Sequence, residues 1–382
     1  MGIIRPHIED LLVEPSNRRD SVPLNWSRFL QREIPPAFSL QWNKLVSEKT
    51  ILITGAGGSI GSSLAVQLMA GLPKTLVLLD RSECNLRSLQ RRYLERQVTL
   101  PRVEFIQGDI LDQRFLDDLF RTYEPEIVFH AAALKHLPPL ESDPFAALEN
   151  NVLGTFNLLR MVDCSRVEYF VNVSTDKAVN PTSVLGVSKR IVELLLLAGY
   201  RTDPLRLSVR LGNVLESSGS VVPHFLRCLR EGSPLSITDP QASRYFLTME
   251  EAALFLVGSL QFPESCMVLP EMGVPRTVME LVIFLLNEFQ IHPCLQSMTF
   301  TGLRDGEKRS EQLTHDYERV NQHAGPLRTI IGHGIFCPDR FPDDFAWLLK
   351  LVVERRKKGL LDSLLRLVPE FRPSPAFLRC IS

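Results

Sequence analysis

The sequence predicts an α/β protein in which helices cover both faces of a parallel sheet. Two observations carry this prediction: short apolar runs alternate with longer stretches of helical periodicity, and the first apolar run ends in a cluster of glycines. Because every parallel connection must return over the sheet, this alternation is typical of a doubly wound fold. Six strands are expected, at residues 50–54, 75–80, 103–108, 127–131, 169–174 and 205–211.

A segment with helical features follows each of the first five strands. Apolar side chains recur at helical spacing from Ile60 to Met69, so the first helix is expected directly after the glycines. Later helices are expected at residues 83–97, 112–122, 144–162 and 183–197. After Leu211 the pattern changes into shorter pieces interrupted by proline and glycine, which predicts a separate, smaller lobe.

Composition and charge exclude several classes of protein. The chain has 382 residues, of which 45% are hydrophobic and 23% charged, so a folded core is expected rather than disorder. A formal net charge of −1 gives no reason to expect a nucleic-acid partner. No apolar run is long enough to span a membrane, and the first residues have no signal-peptide pattern. Seven dispersed cysteines without a Cys-x-x-Cys pair indicate reduced thiols, no metal site and a cytoplasmic location.

The glycine cluster has the features of a dinucleotide-binding turn. Gly55, Gly58 and Gly61 lie between the first strand and the first helix. Without side chains, this backbone can turn tightly and approach a pyrophosphate at the start of the helix. Ser59 and Ile60 belong to the same turn and are predicted to contact the cofactor with the glycines. The fold is therefore expected to be of Rossmann type.

Acidic residues at the ends of later strands extend this prediction. Asp80 ends the second strand about 20 residues after the glycines, where ribose recognition requires an acid. Its carboxylate favours NAD because it repels a 2′-phosphate, while Arg81 leaves NADP open. Asp109, after the third strand, is either an adenine ligand or the N-cap of the next helix. The other predicted cofactor contacts at these strand ends are Ile110, Ala131 and Ala132.

The chain is therefore divided into four parts. Prolines interrupt the first residues, and the last stretch has an amphipathic helical pattern around Gly359. We predict an N-terminal leader at 1–47, a Rossmann NAD-binding domain at 48–212, a smaller C-terminal substrate lobe at 213–335 and a helical tail at 336–382. The tail is expected to pack on the body of the protein or on a partner subunit.

The glycine spacing at residues 55–61 resembles that of extended short-chain dehydrogenases/reductases. More closely, several segments resemble the CapD-like nucleotide-sugar 4,6-dehydratases of polysaccharide biosynthesis. The most specific is Ser-Thr-Asp-Lys-Ala at residues 174–178. The others lie at residues 5–12, 80–85, 130–136, 149–155, 211–214, 219–223, 301–308 and 367–371. The resemblance covers nearly the whole chain.

Three features depart from the family pattern. Many members carry an N-terminal membrane region, and this chain is similar to a soluble short form without it. Where the wider superfamily has the tyrosine of Tyr-x-x-x-Lys, this chain has Leu185, four residues before Lys189; members with a membrane region tend to have methionine there. Asp305 replaces the usual proline of an Arg-Pro-Gly sequence, which is expected to adjust a loop only.

The resemblance implies a redox-neutral reaction on a nucleotide sugar. Hydride leaves C4 for NAD, a base takes the C5 proton, an acid protonates the departing C6 hydroxyl, and hydride returns to C6. By resemblance Asp176 is the acid and Lys177 is the base. Thr175 is expected to hold O4, a task that Leu185 cannot perform, and Lys189 is expected to bond the nicotinamide ribose.

The residues alone leave simpler interpretations open. Asp176 and Lys177 follow the fifth strand, at the edge where ligands bind in open α/β sheets, yet an adjacent acid and base also form solvated ion pairs on loops. A lysine acts as a base near neutral pH only if burial or nearby positive charge lowers its pKa. Lys189 and the nicotinamide ring are candidate sources of that charge, but Lys189 is alternatively a surface lysine of its helix.

Polar side chains from several parts of the chain are predicted to hold the nucleotide sugar. The arginines among them suit the diphosphate, because a guanidinium group pairs bidentately with phosphate. The predicted residues are Lys135 and His136 for the sugar or a phosphate (Lys135 also facing the cofactor), Asn151 as a site residue without an assigned contact, Asn213, Arg244 and Arg304 for the diphosphate, and Glu307 for the nucleotide ribose. For each of them the alternative is a residue without a role in binding. His136 is alternatively a hydrogen-bonded structural group, Asn151 a cap or turn residue, and the others solvated surface residues.

We therefore expect a cytoplasmic, NAD-dependent nucleotide-sugar 4,6-dehydratase that forms a homo-oligomer and acts on UDP-N-acetylglucosamine or a relative. One alternative is a nucleotide-sugar epimerase, which shares the first hydride step but returns hydride to C4. The acid and base Asp176 and Lys177 favour elimination over that reaction. The other alternative is a non-catalytic protein that binds NAD or a sugar nucleotide, because Leu185 replaces the usual tyrosine.

Overall fold

The computed structural model describes residues 24–34, 42–95, 102–198, 204–322, 325–331 and 340–382. The strands in this part of the chain are β1 (Thr50–Thr54), β2 (Thr75–Asp80), β3 (Arg102–Gln107), β4 (Ile127–His130), β5 (Tyr169–Thr175), β6 (Leu205–Leu211), β7 (Asn213–Val214), β8 (Leu235–Ile237), β9 (Ser243–Arg244), β10 (Phe246–Leu247), β11 (Cys266–Pro270), β12 (Arg276–Thr277), β13 (Met298–Phe300), β14 (Arg319–Gln322) and β15 (Leu327–Ile331). One sheet has the order β14-β15-β11-β6-β5-β4-β1-β2-β3, and the short strands pair as β10-β7, β12-β9 and β13-β8.

The central part of the sheet confirms the predicted fold class. The strands β3-β2-β1-β4-β5-β6 are parallel, which is the order of a Rossmann-type doubly wound sheet. Strands β1, β2 and β6 have the predicted bounds, and β3, β4 and β5 differ from them by one residue. The chain reverses its direction of travel across the sheet between β1 and β4, and ligands bind outside the carboxyl ends of the strands at such a point.

Alternate side chains of the central strands face two different cores. Ile51 and Ile53 of β1 pack in one cluster, and Leu52 between them packs in the other. Every residue of β1 and β2 is buried. Their continuous apolar runs therefore reflect strands that are covered on both faces.

The described α-helices are α1 (Trp26–Leu30), α2 (Trp42–Val46), α3 (Ser59–Met69), α4 (Glu83–Leu94), α5 (Gln113–Tyr123), α6 (Leu137–Ser142), α7 (Pro144–Ala147), α8 (Gly154–Asp163), α9 (Val184–Ala198), α10 (Val221–Glu231), α11 (Met249–Gly258), α12 (Val278–Glu288), α13 (Phe341–Val353), α14 (Leu360–Leu367) and α15 (Pro375–Ile381). The helices predicted at 83–97, 112–122 and 183–197 are α4, α5 and α9, with residues 96 and 97 outside the described part. The helix predicted at 144–162 is divided, because a π-helix at Leu148–Leu153 joins α7 to α8.

Residues 213–335 contribute both to the sheet and to a smaller lobe. Strand β11 adds to β6 in parallel, and β15 and β14 follow it in antiparallel pairs. The remaining elements pack around a second core that includes Phe225 of α10, Ile237 of β8 and Leu281 of α12. Helix α1 of the predicted leader packs on this core through Trp26. The prolines that predicted an irregular leader lie outside the described residues.

The predicted helical tail packs on the body of its own chain. Leu348 of α13, Leu364 of α14 and Phe377 of α15 share one core cluster with Leu185 and Ile191 of α9. The amphipathic pattern of the tail therefore corresponds to an intramolecular interface. Among the described residues, no helix has the length and apolar character needed to cross a membrane.

A cluster of buried charges joins α9 to the central strands. Glu193 of α9 accepts hydrogen bonds from Arg190 (3.0 Å), Ser174 of β5 (2.7 Å) and, through two contacts of 2.7 and 2.8 Å, Arg210 of β6. Arg210 also pairs with Glu318 at 2.6 Å, and these charged side chains are fully buried. Burial alone would raise the pKa of Glu193, but Arg210 and Arg190 lower it to about 2.

We expect Glu193→Gln to lower the free energy of unfolding by about 3–5 kcal/mol, because two buried guanidinium groups lose their shared counter-charge. Urea denaturation at neutral pH measures the change. Glu280→Gln is the matched control, since Glu280 caps α12 with a half-exposed side chain and glutamine also suits that cap. It should cost less than about 1 kcal/mol. An equally small loss for Glu193→Gln would contradict the structural role of the cluster.

Candidate active site

The glycine turn forms a tight cradle at the carboxyl end of β1. Gly55 has a φ of 67°, and a Cβ atom there would lie 2.6 Å from the backbone nitrogen of Ala132 and 2.8 Å from the carbonyl carbon of Ala131. A Cβ atom on Gly61 would lie 2.2 Å from the Gly55 carbonyl oxygen. Gly58 is the N-cap of α3, so the unpaired N–H groups of the first helical turn face this cradle.

A cavity of about 490 Å³ opens above the turn. Gly57, Gly58 and Ser59 line one side, and Asn85 and Arg92 of α4 line another. Ile60, by contrast, packs against the sheet core. Backbone N–H groups, a guanidinium group and the absence of side chains in the turn suit a diphosphate. The residues present therefore fit a dinucleotide.

Asp80 lies beside the turn and is hydrogen-bonded to it. Its Oδ2 accepts from Gly57 N at 2.9 Å and its Oδ1 accepts from Ser82 N at 2.8 Å. The following residue, Arg81, donates to Asn150 Oδ1 of the π-helix at 3.3 Å. The carboxylate is thus held in place at the end of β2, where the prediction puts the ribose of the cofactor.

The residues after β3 differ in part from the prediction. The N-cap of α5 is Asp112, whose Oδ1 accepts from two backbone N–H groups, so the capping alternative for Asp109 is wrong. Asp109 instead accepts from Leu111 N at 2.9 Å. Ile110 is buried in the core against Gly154 rather than facing the cavity, because that glycine leaves room for its side chain.

Thr175, Asp176 and Lys177 form one hydrogen-bonded group at the carboxyl end of β5. Asp176 Oδ1 accepts from Thr175 Oγ1 and from Lys177 Nζ, each at 3.0 Å. Lys177 Nζ also donates to Asn213 Oδ1 at 2.8 Å. The side chain of Asp176 is fully buried and that of Lys177 is 18% exposed. The pair is therefore not the solvated ion pair that the sequence left open.

The buried carboxyl group of Asp176 has one oxygen without a partner. No hydrogen bond reaches its Oδ2 within the described residues. Burial raises the pKa of Asp176; Lys177 opposes this effect and the carboxylate of Glu311 adds to it. Asp176 consequently holds a proton to a higher pH than an exposed aspartic acid, which is the property that a general acid requires.

Lys189 of α9 is buried beside this group and is not a surface lysine. Its Nζ donates to the carbonyl oxygen of Val173 at 2.8 Å, and burial lowers its pKa to about 8. His130 at the end of β4 is bonded on both ring nitrogens, to Thr54 at 2.7 Å and Thr155 at 2.8 Å. Burial and the charge of Lys189 lower the pKa of His130 to about 3, so this histidine is a neutral structural group.

Leu185, which stands where the wider superfamily has tyrosine, is 6% exposed. It packs in the same core cluster as Leu348 and Phe377 of the tail. Its apolar side chain is therefore buried among other apolar side chains.

Asn151 uses its whole amide group to hold protein segments together. Its Oδ1 accepts from Leu134 N at 2.8 Å and from Asn150 at 3.0 Å. Its Nδ2 donates to Leu134 O at 3.0 Å and to Ser188 Oγ at 3.1 Å. The side chain has no donor left for a substrate. In place of the substrate contact predicted for it, Asn151 fixes the loop after β4 against α9.

Lys135 and His136 lie on that loop and are exposed. Lys135 makes no hydrogen bond or ion pair with any described residue. The ring of His136 lies against Gly219, where a Cβ atom would be 2.2 Å from Cε1. Because Gly219 lines the cavity above the glycine turn and a second cavity beside it, His136 stands where the two meet.

The second cavity has a volume of about 530 Å³ and brings four predicted substrate residues together. These are Asn213, Arg244, Arg304 and Glu307, and Phe246 contributes an apolar surface. The cavity adjoins the catalytic candidates in space, since Asn213 of its lining also accepts a hydrogen bond from Lys177. A mixed polar and apolar lining of this kind suits a nucleotide and its phosphates.

The two predicted arginines differ in whether their side-chain donors are free to bind a ligand. Arg244 donates to Glu307 at 2.8 Å and to the carbonyl oxygens of Ser243 and Arg309 at 2.8 and 2.9 Å. The side chain of Arg304 makes no hydrogen bond or ion pair with the described residues. Of the two, Arg304 is therefore available for a ligand, and Arg244 holds Glu307.

Sequence reasoning misses three residues of this region. His224 and Arg227 of α10 line the second cavity, and a signal for them exists: two basic side chains three positions apart directly after the segment 219–223. Glu311, which acts on Asp176, has no such signal, because its proximity to β5 depends on the fold. No group of three or more His, Cys, Asp or Glu side chains that suits a metal ion occurs within the described residues.

The sequence of this chain matches a known protein family and is similar to several individual proteins. Residues 51–331 match a family described as polysaccharide biosynthesis protein. EpsC of Bacillus subtilis, named a probable polysaccharide biosynthesis protein, is 34% identical over 82% of this chain and 53% of its own length. The chain thus spans about half the length of that relative. A UDP-glucose 4-epimerase of Rickettsia bellii is 30% identical over 71% of this chain and 79% of its own length.

Solved structures share the fold. Pen from Bacillus thuringiensis has a TM-score of 0.68 and 26% identity, covering 75% of this chain and 87% of that one. DesIV, a dTDP-glucose 4,6-dehydratase from Streptomyces venezuelae with NAD and TYD bound, has a TM-score of 0.60 and 24% identity, covering 69% and 88%. At that identity the likeness to DesIV concerns the fold alone.

We expect Gly61→Ala to weaken the binding of NAD by about tenfold or more, because a Cβ atom at this position collides with the backbone of the glycine turn. Isothermal titration calorimetry of the purified protein measures the change. Gly232→Ala is the control for backbone strain, because Gly232 has a φ of 67° that alanine adopts poorly, but a Cβ atom there meets no atom within 4 Å, so the affinity for NAD should be kept. Equal affinities of the Gly61 variant and the unaltered protein would contradict the cradle.

Proposed function

Because the chain belongs to the polysaccharide biosynthesis protein family, within the CapD-like group of extended short-chain dehydrogenases/reductases, we propose that it dehydrates a nucleotide sugar with NAD as cofactor. The proposed substrate is UDP-N-acetylglucosamine or a close relative, and the product is the 4-keto-6-deoxy sugar. The name of one similar protein, a UDP-glucose 4-epimerase, supports nucleotide-sugar chemistry.

The observation that carries this proposal is the buried pair of Asp176 and Lys177 beside the second cavity. Elimination across C5 and C6 needs an acid and a base within reach of one sugar ring. Asp176 Oδ1 and Lys177 Nζ lie 3.0 Å apart, and burial raises the pKa of the acid. Inversion at C4 needs a base for the O4 proton, but it needs neither an acid at O6 nor a base at C5.

The cofactor is proposed to lie across the glycine turn. Gly55, Gly58 and Ser59 would hold its diphosphate, and Asp80 would accept from a ribose hydroxyl. When bound, NAD supplies a reversible hydride acceptor for C4 and C6 of the sugar. Lys189 would bind the nicotinamide ribose, because its ammonium group has three donors and Val173 uses only one of them.

The substrate is proposed to extend from the catalytic group into the second cavity. Arg304 and Arg227 would bind the diphosphate, and Glu307, held by Arg244, would accept from the nucleotide ribose. His136 and Lys135, at the junction of the two cavities, would contact the sugar or its phosphate. This placement puts the sugar ring near Lys177.

Different residues of this chain then carry out the individual proton transfers. Thr175 Oγ1 would accept a hydrogen bond from the O4 hydroxyl, and the O4 proton would leave to solvent as C4 gives up its hydride and becomes a ketone. Lys177 Nζ takes the C5 proton, which the new C4 ketone makes acidic. Asp176 gives its proton to O6 as the C6–O6 bond breaks, and water leaves. Lys177 would return a proton to C5 once C6 has received its hydride, and solvent would protonate Asp176 again in place of the proton lost from O4.

A nucleotide-sugar epimerase is the second candidate, favoured by the 30% identity to the epimerase of Rickettsia bellii. It would use the same cofactor and cavity but return hydride to C4. The non-catalytic alternative raised by Leu185, the cytoplasmic location and the homo-oligomeric state stay predictions.

We expect UDP-N-acetylglucosamine incubated with the protein and NAD in deuterated water to lose one water and gain one solvent deuterium at C5. Mass spectrometry measures both changes in one experiment. Asp176→Asn and Lys177→Ala should each abolish the product, because one removes the acid and the other removes the base. Lys350→Ala, on the exposed face of α13, is the control and should retain the activity of the unaltered protein.

Other outcomes of this experiment are informative. An isomer of unchanged mass without deuterium identifies the epimerase. Bound cofactor with no conversion of a panel of nucleotide sugars supports the non-catalytic alternative.

We expect the protein to bind NAD about tenfold or more tightly than NADP, because the carboxylate of Asp80 repels a 2′-phosphate. Asp80→Asn should reduce this preference while keeping the shape of the side chain. Calorimetric titration with both dinucleotides measures it. Glu83→Gln removes a nearby charge from the exposed start of α4 and should leave the preference unchanged. Equal affinity of the unaltered protein for both dinucleotides would contradict this role of Asp80.

A further inference from the structure

Glu311 is a buried carboxylate to which the proposed reaction assigns no role. The residue is 7% exposed, and its Oε2 lies 2.9 Å from Lys308 Nζ. Lys308 Nζ also donates to the carbonyl oxygen of Val179 at 2.7 Å. The N–H of Val179 in turn donates to the carbonyl oxygen of Asp176 at 3.1 Å. The ion pair of Lys308 and Glu311 is thereby attached to the turn that carries Asp176.

Two charges act on the side chain of Asp176 in opposite directions. Lys177 Nζ, 3.0 Å away, stabilises the carboxylate, whereas the negative charge of Glu311 destabilises it. The other two cations that pack against this turn are engaged elsewhere: Lys189 Nζ donates to Val173 O, and Lys308 Nζ donates to Val179 O. Within the described residues, only Thr175 and Lys177 donate hydrogen bonds to the Asp176 carboxylate.

The pair of Asp176 and Lys177 has two forms that contain the same number of protons. In the ion pair, Asp176 is a carboxylate and Lys177 is an ammonium ion. In the neutral pair, Asp176 is a carboxylic acid and Lys177 is an amine with a free lone pair. A negative charge that destabilises the carboxylate of Asp176, as that of Glu311 does, favours the neutral pair. Elimination needs this form, because it requires a protonated acid and an unprotonated base at the same time.

We propose that Glu311 is a positioning residue for elimination, which acts by shifting the pair of Asp176 and Lys177 toward its neutral form. The inference rests on the proposed 4,6-dehydration. In that step Lys177 Nζ takes the C5 proton, and the electron pair of the C5–H bond forms the C5=C6 double bond. The C6–O6 bond breaks, Asp176 transfers its proton to O6, and water leaves. Glu311 itself touches no reacting atom.

We expect Glu311→Gln to slow the loss of water from UDP-N-acetylglucosamine by about tenfold, which corresponds to a change of one pKa unit. The KM should stay unchanged, because the substitution lies outside the cavity that holds the nucleotide. The basic limb of the pH–rate profile should move to lower pH, since Asp176 then loses its proton more readily. Mass spectrometry of water loss across a pH series measures both effects.

A second variant separates this role from a loss of packing. Lys308→Gln removes the positive charge beside Glu311 and should move the basic limb to higher pH. General destabilisation cannot shift the two profiles in opposite directions. Glu126→Gln is the control, because Glu126 also pairs with a lysine, Lys49 at 2.9 Å, far from β5's carboxyl end. Profiles of the Glu311 and Lys308 variants that coincide with the unaltered protein would overturn the inference.

A titration without turnover distinguishes this inference from the proposed function. Carbon-13 NMR of protein labelled in its aspartate carboxyl groups reports the protonation of Asp176, whose signal is the one lost in Asp176→Asn. Glu311→Gln should lower the midpoint of this signal, and an unchanged midpoint overturns the inference. A lowered midpoint in a protein that releases no water from UDP-N-acetylglucosamine supports the action of Glu311 on Asp176 and counts against the proposed function alone.

Discussion

The buried carboxylate of Glu193 is the constraint on which the geometry of the candidate site depends. It lies between α9 and the strands β5 and β6, and it binds Ser174 directly before the group of Thr175, Asp176 and Lys177. The same helix carries Lys189, so one carboxylate fixes both the end of β5 and the lysine that packs beside it. Because buried charges are stable only with their partners in place, this arrangement permits little variation in the spacing of the site.

The tail and the loops complete this arrangement from the other end of α9. Glu141 Oε1 accepts from Val184 N at 2.6 Å, and Ser374 of the tail donates to its Oε2. Asp305, where the family has proline, is half-exposed and pairs with Arg379 of α15, a contact worth little in solvent. The loop around Asp305 therefore owes its position less to this surface pair than to the segment before α9, where Thr182 Oγ1 donates to the carbonyl oxygen of Gly306 at 2.9 Å.

Local sequence patterns predict the six central strands, the glycine turn and the adjacent acid and base, because each depends on neighbouring residues. They do not predict that β11 and β15 extend the sheet, since those pairings join segments far apart in the chain. The π-helix is missed because its sequence pattern also fits an α-helix. Glu311 lies 135 positions after Asp176, so only the folded chain brings them together.

The protonation of Asp176 bears on whether the loss of the usual tyrosine makes the chain inert. Burial raises the pKa of Asp176 in the folded protein above its value of about 3.9 in the unfolded chain. Folding is therefore less favourable at neutral pH than at low pH as far as this group is concerned. A protein that only binds a nucleotide gains nothing from such a group. Leu185 is buried in the core cluster that it shares with the tail, so its presence takes no partner from Asp176 or Lys177, and the proposed proton transfer would account for the destabilising carboxyl group.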